Sequence, residues 1–382
     1  MLGACAQLAV DRASPRAETI EDVPAFEGLR SEWSALLGSR PSSSIFLTWE
    51  WMFTWWKHLA EGRRLSILAI RERGELIAIA PLCVAAPAVL RARPFPSIQF
   101  LGAGSVGSDY LDLIVRPGRE QAAEEVLAGH LAGLRRPLDW AQVERGPSSA
   151  DRIARMLTAG GWRVRGAETN VCPFIPLAGH TWESYLATLG SEHRYNFRRK
   201  WRRLNQDHTV SFEQAATPGE CREAVDVVIK LHLLRFSERG GSDAFHTPGL
   251  VDFHRDWSAI ALERGWLRLY VLRVDGKPAA ALYGFLYRKT FYFYQAGFDP
   301  AYGKSSVGLL IMGLAIQRAI EEGAEEYDLL HGNEDYKSHW SRHERKLGRL
   351  ELNPPGVRGW ISGSVLEFGR TAKHMISNKW WS

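Results

Sequence analysis

The stretch from Phe291 to Trp340 reads FYFYQAGFDPAYGKSSVGLLIMGLAIQRAIEEGAEEYDLLHGNEDYKSHW. It places an aromatic strand, a small-residue turn, an apolar helix, a second strand and a polar cluster in immediate succession. Phe291, Tyr292, Phe293, Tyr294 and Gln295 read as a strand, because aromatic side chains pack well on a pleated surface and glycine with proline closes the run. From Val307 the apolar residues Leu309, Leu310, Met312, Leu314, Ile316 and Ile320 continue to Gly323 without a breaker. That pattern predicts a mostly buried helix stopped by the glycine. Gly303, Lys304, Ser305, Ser306, Val307 and Gly308 then fall at its first turn.

Backbone N–H groups at a helix start have no internal partner, and the helix dipole there favours negative charge. A small-residue turn with Lys304 beside it therefore suits a phosphate or pyrophosphate. An ordinary turn and cap accounts for the same residues. A nucleotide-triphosphate loop does not: Gly297 to Ser305 has one residue too many between its glycines, and Pro300 removes a donor N–H.

At 382 residues the chain has room for about two domains of ordinary size, and 45% hydrophobic with 24% charged residues is a globular composition. Its 15 Trp exclude a disordered polymer. A net charge of +5 favours an anionic partner, whether a phosphorylated co-substrate, nucleic acid or an anionic membrane surface, without choosing among them. Cys5, Cys83, Cys172 and Cys221 form no close pair, which argues against a zinc knuckle or a disulfide framework and for a reducing compartment. Leu2 to Cys5 imitates a lipoprotein cleavage box, but no apolar segment precedes it. Leu76 to Leu90, the longest apolar run, is too short to span a bilayer and contains Pro81 and Pro87. The sequence reads as cytoplasmic, with the inner face of the membrane as a second possibility. His339 and His343 stand one helical turn apart with no carboxylate in a zinc pattern, so no metal is assigned.

Taken in order, residues up to about Glu21 form a loose lead-in strand, and Phe46 to Leu59 a Trp-rich buried helix. Leu65 to Ile70 and Glu75 to Leu82 form a hairpin. Asp109 to Val115 is a strand, Glu120 to Leu134 a helix and Asp139 to Glu144 a strand. The second half repeats this order. Leu250 to Leu262 is a Trp-containing helix, and Leu267 to Arg273 with Ala279 to Tyr287 a hairpin around Gly276. The strand, helix and strand described above follow. The shared order implies two copies of one α/β unit. The second carries the small-residue turn; the first has Arg116, Pro117, Gly118 and Arg119 at that place and reads as structural. The expected division is 1–175, 176–350 and a tail of 351–382.

Between the copies, Thr181 to Gln206 begins with Thr181 as a cap and Ser184 nearby, and continues as a helix bearing Arg194, Arg198, Arg199, Lys200, Arg202 and Arg203. Tyr195, Phe197, Trp201 and Leu204 give it an apolar face. Such a helix can bind nucleic acid, grip a co-substrate's phosphates, lie on a membrane, or simply cover the protein. The tail from Gly359 to Ser382 repeats apolar residues at helical intervals beside Arg370, Lys373, Lys379, Trp380 and Trp381. It suits either a membrane interface or docking on the protein itself.

These pieces together resemble the FemAB-like branch of the GNAT acyltransferase superfamily, in particular the cellulose-biosynthesis-type acetyltransferases. The resemblance rests on FLTWEWMFTWW, DYLDLIV, SEHRYNFRRKWRRL, LHLLR, YQAGFDPAYGKSSVGLL and YDLLHGNEDYKSHW, which span roughly Phe46 to Trp340. It implies an α/β fold of tandem GNAT-like domains, each a mixed central sheet flanked by helices, with acyl-CoA as co-substrate and no permanently bound cofactor. It further implies that the sheet splays between Phe291 to Gln295 and Tyr327 to Leu330. The pantetheine arm would then pair along Tyr294, Gln295, Ala296 and Gly297, and the pyrophosphate would rest on Gly303 to Gly308. The superfamily's usual Arg/Gln-x-x-Gly-x-Gly/Ala signature is not spelled here.

Acyl transfer from a thioester needs a base, a polarised carbonyl and a proton for the departing thiolate. His232 and Arg235, three apart in a helix from Arg222 to Phe236, share one face and match the family's LH..R pattern; His232 is the candidate base. Asp328, His331, Asn333, Glu334, Asp335, Tyr336 and Lys337 follow the last strand, where ligands of open α/β sheets bind. There Asp328 can hold a partner, Tyr336 can supply a proton and Lys337 can contact a carbonyl or phosphate. A half-buried histidine and a capping network are the plain alternatives.

The leading expectation is an acyl-CoA-dependent transferase acting on an amine or hydroxyl of an envelope sugar or lipid precursor, including long-chain N-acyl transfer of the ceramide-synthase kind. Aminoacyl transfer from tRNA to a peptidoglycan precursor is the second, with the Arg-rich helix as RNA contact. A non-catalytic ligand-binding module is the third.

Overall fold

Two hairpins turn on the same device. Strands Ile67–Glu72 and Glu75–Ala80 are joined through Arg73 and Gly74, with φ of 53° and 85°. Strands Leu267–Val274 and Lys277–Tyr287 are joined through Asp275 and Gly276, with φ of 51° and 75°. Two central residues of positive φ are what a two-residue turn needs to follow the right-handed twist of its strands. Further along, helices Glu120–Leu134 and Val307–Glu321 each have 15 residues. The two copies read from the sequence thus share their hairpin and a 15-residue helix followed by a strand.

The computed structural model describes residues 14–87, 94–146, 148–236, 244–332, 334–357 and 359–361. Most of the lead-in segment, Asn333 and the tail from residue 362 lie outside them. The chain divides into two compact units, one made of residues up to 169 with those from 346 onward, the other of 170–345.

In the first unit, strands Arg16–Ile20, Ile67–Glu72, Glu75–Ala80 and Ile114–Val115 form one sheet in that order. Helix Trp49–Leu59 buries Trp49, Trp51, Met52 and Trp55, and its cap Thr48 accepts from the Trp51 amide at 3.3 Å. The strand expected over Asp109 to Val115 is confined to Ile114–Val115. The reason is local: Tyr110 sits in the left-handed region at φ 58°, and buried Asp109 accepts from the Gln142 amide at 2.7 Å.

In the second unit, strands Val210–Gln214, Leu267–Val274, Lys277–Tyr287 and Thr290–Phe298 run antiparallel in that order. Thr290–Phe298 then pairs in parallel with Glu326–Asp328, as a strand reached through the crossover helix Val307–Glu321 must. That helix packs on one sheet face with Tyr270, Leu272, Leu282, Phe291 and Phe293. Phe291 stacks on Tyr327 at 4.4 Å and 5°, a pairing worth about 0.5–1.5 kcal/mol beyond its buried area. The alternate residues face helices Pro218–Phe236 and Pro248–Glu263, where Trp257 meets Phe285 edge-on at 5.5 Å.

The single helix expected over Thr181 to Gln206 is two. Trp182–Thr188 opens with a full capping box between Thr181 and Ser184. Extended Leu189 and Gly190 separate it from the basic helix Ser191–Asp207. The basic helix is fixed by Phe197, 4% exposed, whose ring fills the notch at Gly313: a Cβ there would stand 2.2 Å from it.

Candidate active site

Strand Thr290–Phe298 pairs with Glu326–Asp328 only over Thr290/Glu326, Phe291/Tyr327 and Tyr292/Asp328. On its other side the second strand pairs with residues 174–176 along that same length, and the chain stays with that side beyond it, the Leu329 amide donating to the Pro173 carbonyl at 2.9 Å. The sheet therefore opens after three residue pairs. Across the same strand the register slips: Tyr283 faces Gln295 while Gly284 faces Phe293, so Tyr294 is the extra residue of a bulge. A bulge at the mouth of an opening re-aims the backbone that follows.

That backbone is met by helix Pro218–Phe236. A Cβ added to Gly297 would lie 2.3 Å from the His232 nitrogen, so only glycine lets helix and strand approach this closely. The approach puts two side chains on one carbonyl. His232 Nδ1 is 3.3 Å from the Ala296 oxygen, and Arg235 Nη1 donates to the same oxygen at 3.5 Å. A carbonyl only accepts, so Nδ1 carries the proton and Nε2 is the basic nitrogen. Burial pushes the His232 pKa down to about 4; the Ala296 bond opposes this and the Arg235 charge adds to it. The imidazole is neutral at neutral pH.

The Arg235 guanidinium lies over Phe298 at 5.4 Å and over Tyr336 at 5.3 Å. Burial raises the Tyr336 phenol pKa, so it stays protonated. Lys337 is 3% exposed; its ammonium donates to the His331 carbonyl at 2.8 Å and pairs with Glu334 at 3.0 Å. Burial pushes the Glu334 carboxyl up, but the Lys337 charge and hydrogen bond bring it below the usual range. Lys337 thus ties Leu330 and His331 to Glu334. Asp328 is buried, accepts from the Leu330 amide at 2.7 Å and pairs with Arg345 at 3.4 Å. It holds Leu330 in its left-handed conformation, φ 53°, where the chain leaves the sheet.

The small-residue turn is a 3-10 helix, Pro300–Ser305, capped by Asp299 and followed by left-handed Ser306 at φ 54°. Helix Val307–Glu321 starts there without a side-chain cap. Lys304 is exposed, and Gly303 has open space around it. The cation that reaches the turn is Lys200, whose ammonium bonds the Ser306 hydroxyl. The sequence named Lys200 only as part of a basic run. Its spacing held the signal, because Lys200 lies one turn from Phe197 and so faces the helix that Phe197 packs against. An ammonium beside the positive end of a helix dipole is repelled unless an anion joins it.

Residues 191–338 match the family described as Acetyltransferase (GNAT) domain. Those residues are similar to a GNAT-type domain. The match runs from the start of the basic helix to Ser338 and takes in His232, Arg235, the bulged strand and the helix start. No curated protein matches the sequence. Among solved structures the chain is similar to FemX, at 11% identity and a TM-score of 0.59, covering 87% of this chain and 96% of that one. It is also similar to L-PGS from Bacillus licheniformis, at 11% identity and a TM-score of 0.51, covering 89% and 95%. A third is the C-terminal domain of a protein named as a lysylphosphatidylglycerol synthetase from Agrobacterium fabrum, at 11% and 0.53, covering 86% and 92%. At such identities the likeness is one of fold. The matched domain and the shared fold support an acyltransferase.

Proposed function

We propose that this chain moves an acyl group from a coenzyme A thioester to an amine or hydroxyl, with an envelope sugar or lipid precursor as acceptor, in the manner of the FemAB-like branch. The observation that carries the reading is the Ala296 carbonyl, shared by His232 and Arg235 on the strand where the sheet opens. An arm entering the opening would run along Tyr294 to Gly297, with its phosphates toward Ser306 and Lys200. The acceptor's nucleophile attacks the thioester carbon as its proton passes to His232 Nε2; the C–S bond breaks, and on this reading the thiolate takes its proton from the Tyr336 phenol. Arg235, held between two aromatic faces, supplies a fixed positive charge for the oxyanion. Mixing the purified protein with acetyl-CoA and with palmitoyl-CoA, with and without candidate amines, tests the reading. Thiol release that depends on acceptor supports it and ranks the chain lengths. No release, together with no thermal protection by either thioester, contradicts it.

A second reading is aminoacyl transfer from tRNA. It is favoured by the fold shared with FemX and by Arg198, Arg199, Arg202 and Arg203, all exposed on the basic helix. Its mark is tRNA binding that falls steeply with salt and weakens when those four become Ala. Among the described residues no helix is long and apolar enough to cross a membrane; peripheral contact through residues 359–382 is a separate reading to test.

A further inference from the structure

Helix Pro248–Glu263 buries Leu250, Phe253, Trp257 and Ala261, and on the same buried face it carries His254. His254 is 2% exposed, and among the described residues its Nδ1 has no hydrogen-bond partner. Leaving a buried polar nitrogen unsatisfied is costly, and an apolar side chain would have avoided the cost. The position of the ring explains what the cost obtains. Phe245 stands between two imidazoles, edge-on to His232 at 5.4 Å and to His254 at 4.9 Å. On its other side His254 meets Tyr294, the bulge residue, at 5.3 Å, and Tyr283 at 5.9 Å. Phe245 is itself in the left-handed region at φ 59°, a conformation a large side chain holds only when its neighbours fix it.

We propose that His254 is a positioning residue for the His232 base, fixing its ring through Phe245 and the bulged strand through Tyr294, and that its unpaired Nδ1 is met by a polar group of the loaded site. The inference rests on the acyltransferase reading of His232. Among the described residues, the charged and titratable groups beside these rings are His232, Arg235 and Cys221 from one helix, His254 from the next, and Tyr283 and Tyr294 from the sheet. Burial, with the neighbouring His232 as a lesser cause, keeps His254 neutral. It therefore acts by position and hydrogen bonding, not by charge.

The test compares His254→Phe and His254→Leu, which keep bulk without polarity, with His254→Asn, which keeps a hydrogen-bonding atom close to the ring position of Nδ1. Thermal unfolding is read on the free protein, and kcat and donor KM with the best acyl-CoA found. Removing an unsatisfied nitrogen raises the unfolding temperature of at least one apolar variant, by about 2–4 °C for a domain of this size. The proposal expects that same variant to lose tenfold or more in kcat, with His254→Asn recovering much of it. Full turnover in a stabilised apolar variant, or equal losses in Leu and Asn, overturns it. The unfolding measurement needs no activity. If the wild-type chain turns over no thioester, the acyltransferase reading fails first and is recognised as such.

Discussion

His232 and Ala296 are joined by a hydrogen bond of 3.3 Å between an imidazole N–H and a backbone carbonyl on the strand where the sheet parts. The bond settles which ring nitrogen is basic, and the helix that brings His232 there depends on Gly297 having no side chain. Replacing His232 by Ala is expected to lower kcat by about 10²–10⁴, the usual contribution of a general base. Thermal unfolding should change far less, which separates loss of chemistry from loss of fold. Turnover within threefold of wild type would remove His232 from the mechanism.

Gly297→Ala tests the close approach itself. A methyl group 2.3 Å from the His232 nitrogen and 2.4 Å from the Leu231 carbonyl carbon forces helix and strand apart. Overpacking of this kind costs about 1–3 kcal/mol. Chemical denaturation should show that loss, together with a fall in kcat as His232 is displaced. A variant as stable and active as wild type would mean that helix and strand are not in contact here.

Lys200→Ala should raise the KM for an acyl-CoA about tenfold and leave kcat nearly unchanged, because on the acyltransferase reading the ammonium beside Ser306 would meet the donor's phosphates and not the reacting carbon. A truncated acyl-pantetheine donor should not notice the substitution. Equal effects on both donors would place Lys200 elsewhere in the mechanism.

Acid should weaken the fold through the two buried histidines. Burial pushes the pKa of His232 down to about 4 and that of His254 down to about 3. Unfolded, both titrate near their ordinary value of about 6.5. Below that value the unfolded chain binds more protons than the folded one. Their contribution is therefore fully present above pH 6.5, declines as pH falls, and is gone below about 3. Denaturation midpoints between pH 7 and pH 4.5 should fall, and by less in His254→Phe. A midpoint independent of pH in both proteins contradicts the burial of these rings as neutral groups.

Much of the framework could be read from residue pattern. Helix Glu120–Leu134 has the expected limits, and the helix from Val307 starts where the apolar run does, because each run is long and bounded by turn residues. Asp109 to Val115 misled because its β-rich composition gives no sign that Tyr110 turns left-handed beneath the Gln142 contact. The break at Leu189 and Gly190 was visible as a glycine but was overridden by the charge pattern on both sides. In the site, His232 and Arg235 could be paired by spacing alone. That they share the Ala296 carbonyl is a long-range fact no local pattern holds. Lys337 and Asp328 drew notice because they are polar after a buried strand; in the structure Lys337 engages His331 and Glu334, and Asp328 engages Leu330. His254 escaped because a histidine among Leu, Phe and Trp on a helix reads as core.

The central claim, that the parted strands and the start of helix Val307–Glu321 receive a phosphorylated pantetheine thioester, is tested most directly by calorimetric titration of the protein with coenzyme A. One saturable site per chain is predicted, weakened by Lys200→Ala and competed by acyl-CoA. No heat with coenzyme A, alongside salt-dependent binding of tRNA, would contradict it.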